Sequence, residues 1–181
     1  QRQMCIRDRG YSAADILSRG FLESPTHAAL VENTPALSDL DQDSFDAVFL
    51  VGGQGPMYTF RHNASVEALV VRFATEGKVA AVVCHATCVL LDATTPSGDL
   101  LVTGRTWTGF ANSEEDVADA FVGQRIQPFR IEDEARALPG TNFVVHAAFA
   151  PHAVRDGGLI TGQQQHSGAA AARLVIEALG R

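Results

Sequence analysis

Residues 79–91 constrain the fold of this chain more than any other part of its sequence. Small and β-branched apolar residues (Val79-Ala80-Ala81-Val82-Val83) run directly into Cys84-His85, and a second apolar run follows at once. An apolar run without polar alternation is typical of a strand that is buried on both faces of a parallel sheet. A helix that starts immediately after such a strand requires a tight turn. The segment therefore predicts a strand–turn–helix unit with Cys84 on the turn.

The position of Cys84 on this turn favours a reactive thiol. The side chain would lie at the carboxyl edge of the sheet, beside the positive end of the following helix. Both features favour the thiolate, which is the nucleophilic form of cysteine. A structural interpretation is equally open at this point, because cysteine is often a buried and inert core residue.

Strand-like and helix-like patterns alternate along the rest of the chain, which predicts an α/β layered sandwich. One strand, at residues 45–51, is predicted to be buried on both faces and to end at a turn with three glycines, Gly52-Gly53-Gln54-Gly55. The other predicted strands are 79–83, 100–102, 106–108, 143–145, 153–155 and 158–162. The predicted helices, besides the one that follows Cys84, are 12–17, 25–32, 64–76, 112–122, 128–138 and 168–179, with residues 37–44 as a connector.

Charge and cysteine usage exclude several classes of function. The 14 Lys and Arg residues against 21 Asp and Glu residues give a net charge of −7, and no basic run is present. We therefore expect no nucleic-acid partner and no anionic membrane surface as a partner. No apolar run is long enough to span a bilayer. The three cysteines indicate a reducing compartment, the cytoplasm, and no His, Cys or Asp set has metal-ligand spacing.

The first nine residues, Gln1-Arg2-Gln3-Met4-Cys5-Ile6-Arg7-Asp8-Arg9, have neither helical nor strand periodicity and no initiator Met. We interpret residues 1–9 as a non-native leader and exclude them, with Cys5, from fold reasoning. Residues 10–181 are then expected to form a single domain.

Four motifs follow one another in a characteristic order and spacing. They are Val51-Gly52-Gly53-Gln54-Gly55-Pro56-Met57, Ala80-Ala81-Val82-Val83-Cys84-His85-Ala86, Thr108-Gly109-Phe110-Ala111-Asn112-Ser113-Glu114-Glu115 and Leu159-Ile160-Thr161-Gly162-Gln163. Over residues 12–181 the chain resembles the ThiJ/PfpI superfamily, which is related to class I glutamine amidotransferases. Within it, the chain is similar to the branch of heat-shock chaperones and glyoxalase III enzymes. The resemblance implies a flavodoxin-like three-layer α/β/α sandwich with a mainly parallel sheet and a nucleophile elbow.

The resemblance also implies a catalytic triad. Cys84 would be the nucleophile and His85 its partner, and the acidic member, counted from Phe110, falls on Glu115 with Glu114 as the alternative. Glu115 as a solvated carboxylate at the start of a helix remains a competing interpretation. The backbone N–H of Gly53 would contribute to an oxyanion hole, and glycine there would allow a close backbone approach.

Other residues are expected around the mouth of this site. Gln54 occupies a position where the branch usually has histidine, and His166 is the best candidate for a further pocket residue. Cys88 lies one helical turn from Cys84 and is either a resolving thiol or, the preferred interpretation, a small core residue.

The resemblance implies a glutathione-independent glyoxalase (glyoxalase III, D-lactate dehydratase) that needs no cofactor or metal. Its substrate would be a small 2-oxoaldehyde, bound as a Cys84 hemithioacetal, and the protein would be a homodimer. The alternatives are a stress-response holding chaperone, a cysteine redox sensor, and a deglycase or peptidase. The superfamily also has a first strand followed by a glutamate, which we expect to be missing from this chain. We expect that loss to leave the chain poorly soluble and at best weakly active.

Overall fold

The protein is represented by a computed structural model that describes residues 16–32 and 34–181, with Leu17 and Ser18 described by their backbone alone. The described residues divide into two compact units, the first ending at Ser44 and the second comprising residues 45–181. The leader predicted at residues 1–9, with Cys5, lies outside the described residues, as does most of the helix predicted at 12–17.

The first unit contains two short helices in its described part. Helix α1 is Ile16–Glu23 and helix α2 is Pro25–Glu32. The prediction that α2 begins at Pro25 is confirmed, since proline suits the first turn, where its missing N–H costs nothing. The predicted connector contains two 3-10 turns, Leu37–Asp39 and Gln42–Ser44.

The second unit is built on a four-stranded, mostly parallel sheet. Its strands are β1 (Ala47–Leu50), β2 (Val79–Val83), β5 (Ala153–Asp156) and β6 (Leu159–Gly162), in the spatial order β1-β2-β6-β5. β1 and β6 pair with β2 in parallel, and β5 pairs with β6 antiparallel. The expected α/β class with a mainly parallel sheet is confirmed.

The central strand has the burial that its composition predicts. All five residues of β2 are buried, and helices α4 (Ala64–Thr75) and α7 (Gly168–Ala178) pack against it. The side chain of Asn63 caps α4 by accepting the backbone N–H of Val66 at 3.4 Å. β2 and β6 thus form the core on which the rest of the unit is arranged.

The prediction that residues 45–51 form a strand buried on both faces is wrong. β1 lies at the edge of the sheet and pairs only with β2 among the described residues. Within it only Leu50 is buried, whereas Val51 directly after it is 72% exposed. An apolar run does not distinguish an edge strand from a central one. The two differ in whether a second strand pairs alongside, and the residues of the run do not specify this.

The prediction of a strand at residues 100–102 is also wrong, because residues 101–104 form a turn. Leu101 and Val102 are nevertheless buried, so their apolar character reflects core packing without a strand. The predicted strands at 106–108 and 143–145 are shorter than expected. They are β3 (Thr106–Trp107) and β4 (Asn142–Phe143), which pair in parallel.

The remaining helices are α3 (Pro56–Thr59), α5 (Asn112–Val122) and α6 (Ile131–Ala137). α5 agrees with the prediction, and α6 is shorter than the predicted 128–138. None of the helices in the described ranges is both long and apolar enough to cross a bilayer.

Candidate active site

The predicted tight turn after β2 is present, and Cys84 is strained within it. Cys84 has φ +63°, a left-handed conformation that costs a residue other than glycine roughly 1–3 kcal/mol. The following 3-10 helix, Cys84–Leu91, is buried along its whole length. Thr87 Oγ1 donates a hydrogen bond to the carbonyl of Cys84 at 2.7 Å and holds the turn. Strain that the surrounding packing maintains is characteristic of functional sites.

The turn after β1 approaches Cys84 through Gly52. A Cβ atom built on Gly52 would lie 2.6 Å from Cys84 Cβ, 2.7 Å from the carbonyl of Val83 and 3.2 Å from Cys84 Sγ. The backbone of the glycine-rich turn lies so close to Cys84 that only a glycine fits at position 52. The sequence analysis predicted this close approach at Gly53. A Cβ atom on Gly53 would meet nothing within 4 Å. Glycine is favoured at position 53 because the backbone there has φ +102°.

Cys84, His85 and Glu115 form one chain of contacts. Cys84 Sγ lies 3.5 Å from His85 Nδ1, and His85 Nε2 lies 3.0 Å from Glu115 Oε1. All three residues are buried, and the His85 ring stacks on Phe110 with centroids 3.9 Å apart. The adjacent Cys84 and His85 side chains therefore meet at the turn, while the second ring nitrogen of His85 reaches the carboxylate.

Glu115 reaches His85 because the segment before α5 packs closely on the turn. A Cβ on Gly109 would lie 2.5 Å from Thr87 Oγ1, so glycine is needed where this segment passes the 3-10 helix. The helix cap differs from the prediction, which placed Asn112 or Ser113 at the N-cap. The N-cap is Ala111, and its backbone N–H donates to Glu114 Oε2 at 3.0 Å.

The electrostatics favour a charged His85. Burial lowers the pKa of His85, but its hydrogen bonds with Cys84 and Glu115, and the charges of those partners, outweigh burial and raise the pKa to about 9. An imidazolium at neutral pH donates through both ring nitrogens, towards the sulfur and towards the carboxylate. This arrangement places a proton donor beside the Cys84 sulfur and a carboxylate behind the ring.

Cys88 has the opposite environment. Burial raises its pKa to about 12, and its Sγ donates to the carbonyl of Pro56 at 3.4 Å. Cys88 is fully buried, which supports the preferred interpretation of a small core residue.

The structure does not connect Gln54 and His166 to the triad side chains. Gln54 and His166 are both exposed, and within the described part of the chain no hydrogen bond joins either side chain to Cys84, His85 or Glu115. The His166 ring instead contacts the Phe149 ring edge-on, with centroids 6.5 Å apart. Their roles in substrate binding, like that of Gly53 in an oxyanion hole, stay predictions.

Sequence reasoning missed the buried polar partners of this region. Gln163 is fully buried and donates to Glu114 Oε1 at 2.8 Å, so Glu114 has partners quite different from those of Glu115. The available signal was that Gln163 ends one of the four motifs, directly after β6. Across residues 16–32 and 34–181, no group of three or more His, Cys, Asp or Glu side chains could hold a metal ion.

Comparison with known proteins points to one family. Residues 23–178 match the sequence model that describes the DJ-1/PfpI family. A Schizosaccharomyces pombe protein named "Probable glutathione-independent glyoxalase hsp3103" is 24% identical over 154 residues, which cover 83% of this chain and 59% of that protein. The chain thus spans less than two thirds of the length of this relative.

Solved structures share the fold. The Rapid Encystment Protein 24 kDa of Francisella tularensis superposes with a TM-score of 0.82 and 24% identity, covering 91% of this chain and 72% of that one. Glyoxalase III of Candida albicans superposes with a TM-score of 0.72 and 23% identity, covering 88% and 67% of the two chains. At these identities the likeness establishes the fold alone.

Proposed function

The chain belongs to the DJ-1/PfpI family, and from this premise we propose that it is a cysteine-dependent, glutathione-independent glyoxalase that converts methylglyoxal to lactate. The observation that carries the proposal is the buried chain of contacts from Cys84 Sγ through His85 to Glu115. The name of the fission yeast relative supports the same chemistry, at low identity. We further propose that the protein acts in the cytoplasm.

The proposed reaction begins with attack of the Cys84 thiolate on the aldehyde carbon of methylglyoxal. A carbon–sulfur bond forms, the carbonyl electrons move to oxygen, and the His85 imidazolium supplies the proton that gives a hemithioacetal. Neutral His85 then removes the proton on that carbon, and the electrons move to the neighbouring carbonyl oxygen, which gives an enediolate. His85 returns this proton to the neighbouring carbon while the hydroxyl proton on the first carbon passes to the neighbouring oxygen, which gives a lactoyl thioester on Cys84.

Hydrolysis completes the proposed cycle. Water, activated by His85, attacks the thioester carbonyl, and the bond to sulfur breaks to release lactate and restore the thiolate. The net change is addition of one water to methylglyoxal, with no external oxidant or reductant. Glu115 would hold the His85 ring in place and stabilise its charged form at each step.

The decisive experiment measures lactate formation from methylglyoxal without added glutathione. The protein is compared with Cys84→Ser, which removes the nucleophile, and with Cys88→Ala as the matched control thiol. We expect Cys84→Ser to lose at least about a hundredfold in kcat/KM and Cys88→Ala to lose less than about threefold.

Two outcomes would contradict the proposal. If the wild-type protein forms no lactate but its Cys84 oxidises readily, a redox sensor is favoured instead. If lactate forms equally well in Cys84→Ser, the activity does not use the thiol, and the hemithioacetal mechanism is wrong.

A further inference from the structure

Glu114 is a fully buried carboxylate that the Cys84–His85–Glu115 chain does not use. Its Oε1 accepts hydrogen bonds from the backbone N–H of Phe149 at 2.9 Å and from Gln163 Nε2 at 2.8 Å. Its Oε2 accepts the N–H of Ala111 at 3.0 Å. Burying a carboxylate is costly unless donors surround it, so these donors are what allow Glu114 to lie there. Phe149 and Gln163 belong to segments far from α5 in sequence.

Gln163 attaches the same distant segment at a second point. Its Oε1 accepts the backbone N–H of His146 at 2.7 Å, and its Nε2 also lies 3.3 Å from the carbonyl of His146. Residues 146–149, which we call the 146–149 loop, are therefore held at both ends. Gln163 binds the loop at His146, and Glu114 binds it at Phe149.

The 146–149 loop lies at the same edge of the sheet as the nucleophile. Gln163 directly follows β6, whose last residue, Gly162, pairs with Val83, and Val83 directly precedes Cys84. β2 and β6 are parallel, so both end at this edge. Ligands of open α/β sheets bind outside the carboxyl ends of the strands.

The loop is anchored by its backbone, while the side chains of its first three residues are exposed and that of Phe149 is half-buried. His146, Ala147 and Ala148 are exposed, whereas the groups that hold the backbone, Glu114 and Gln163, are fully buried. Phe149 has φ +59°, a conformation that a residue other than glycine rarely adopts without external constraint. A loop built in this way is suited to contacting a ligand.

We propose that Glu114 is a positioning residue that holds the 146–149 loop as one wall of the substrate site, while its neighbour Glu115 orients His85. The identity of the substrate, a small 2-oxoaldehyde, rests on the proposed function; the attachment of the loop does not. Weakening the attachment leaves the contacts of Cys84 and His85 in place. The loss therefore falls on substrate binding rather than on the chemical step.

The test compares Glu114→Gln with Glu115→Gln. In Glu114→Gln the side chain loses its charge and one acceptor, so we expect KM for methylglyoxal to rise about tenfold while kcat stays within about threefold. Hydrogen exchange at the amides of His146 and Phe149 should accelerate by at least about tenfold. Glu115→Gln should instead lower kcat and leave this exchange unchanged.

A second variant, Gln163→Met, removes the attachment at His146 and one hydrogen bond to Glu114, while the Glu114 carboxylate keeps its bond to the Phe149 backbone. It should reproduce the rise in KM and the faster exchange, and it carries the test if thermal unfolding indicates that Glu114→Gln does not fold. The proposal is overturned if both measurements stay at wild-type values in the folded variants, or if Glu114→Gln lowers kcat as much as Glu115→Gln. If the wild-type protein forms no lactate, the glyoxalase proposal alone fails, and the exchange rates still decide whether Glu114 holds the loop.

Discussion

In the proposed reaction the chemistry depends on His85, which keeps its proton at neutral pH although it is buried. Its two ring nitrogens contact Cys84 Sγ and Glu115 Oε1, and these partners raise its pKa to about 9. A proton held in this way lies beside the Cys84 sulfur, and in the proposed reaction it is transferred to the substrate.

The first prediction concerns stability and pH. The folded protein keeps the His85 proton up to about pH 9, whereas the unfolded chain releases it near pH 6.5, so between these values the folded state binds more protons. The contribution of His85 to stability is therefore complete below pH 6.5 and is lost as pH rises to about 9, for a total of about 3 kcal/mol. Urea unfolding across this range should show the decline in the wild type and not in His85→Gln. Identical pH dependences in the two proteins would exclude the charged His85.

The second prediction concerns thiol reactivity. Cys88 is fully buried with its pKa raised to about 12, whereas Cys84 contacts the His85 imidazolium. Iodoacetamide at neutral pH should therefore alkylate Cys84 at least about tenfold faster than Cys88, as measured by peptide mapping over time. Faster modification of Cys88 would contradict the assignment of the nucleophile.

The third prediction separates the two adjacent carboxylates. Of these two carboxylates it is Glu115 that contacts His85, so Glu115→Gln should lower kcat by about a hundredfold and change KM little. Steady-state kinetics with methylglyoxal measures both constants, and Glu114→Gln is the matched control one position away. A fall in kcat that is equal in the two variants would mean that the orientation of His85 does not depend on Glu115.

Two turns, each placed by a different strand, bring the site together. The turn after β2 carries Cys84, and the turn after β1 passes so close that a side chain on Gly52 would collide with Cys84 Cβ and the Val83 carbonyl. Because β1 and β2 are parallel neighbours, both turns lie at one edge of the sheet. The geometry at Cys84 therefore depends on contact between two elements as well as on the turn itself.

The fourth prediction tests this contact between turns. Gly52→Ala places a Cβ at 2.6–2.7 Å from atoms that cannot move freely, so we expect a loss of roughly 1–3 kcal/mol in stability and slower Cys84 alkylation. Gly168→Ala, in the first turn of α7 with nothing within 4 Å of the added atom, should be neutral or stabilising by up to about 1 kcal/mol. Chemical denaturation of both variants measures the difference. Equal effects would show that Gly52 is not needed for close approach.

At the scale of the molecule, the sheet of the second unit exposes apolar surface along β1. Phe45 is 46% exposed and Val51 is 72% exposed, at either end of an edge strand that pairs on one side only within the described part of the chain. An apolar edge with unpaired backbone groups is a site of strand-to-strand association.

The fifth prediction follows from this edge. The double variant Phe45→Thr/Val51→Thr should associate less than the wild type at equal concentration, measured by light scattering, while its melting temperature stays within about 3 °C. Phe121→Thr is the control, since Phe121 is 92% exposed on helix α5, away from any strand edge. A comparable reduction in the control would indicate general surface hydrophobicity rather than the edge of the sheet.

Local sequence determined much of this protein. The run of residues 79–83 predicted β2, the abrupt change at Cys84 predicted the turn, and Pro25 predicted the start of α2. These features depend on the backbone preferences and the side-chain periodicity of a few consecutive residues, and both can be read from a short segment alone. Recognition of the family added the pairing of His85 with Glu115, which periodicity alone does not give.

Tertiary structure decided the rest. The sequence did not distinguish β1 as an edge strand, and it placed the close approach at Gly53 rather than at Gly52, because both depend on which strand lies alongside. The partners of Glu114, unlike the His85 partner of Glu115, were likewise not predictable. They are the backbone N–H of Phe149 and the side chain of Gln163, which lie 35 and 49 positions from Glu114 in the chain. Side chains that are adjacent in sequence thus take different roles, because the segments that meet them come from distant parts of the fold.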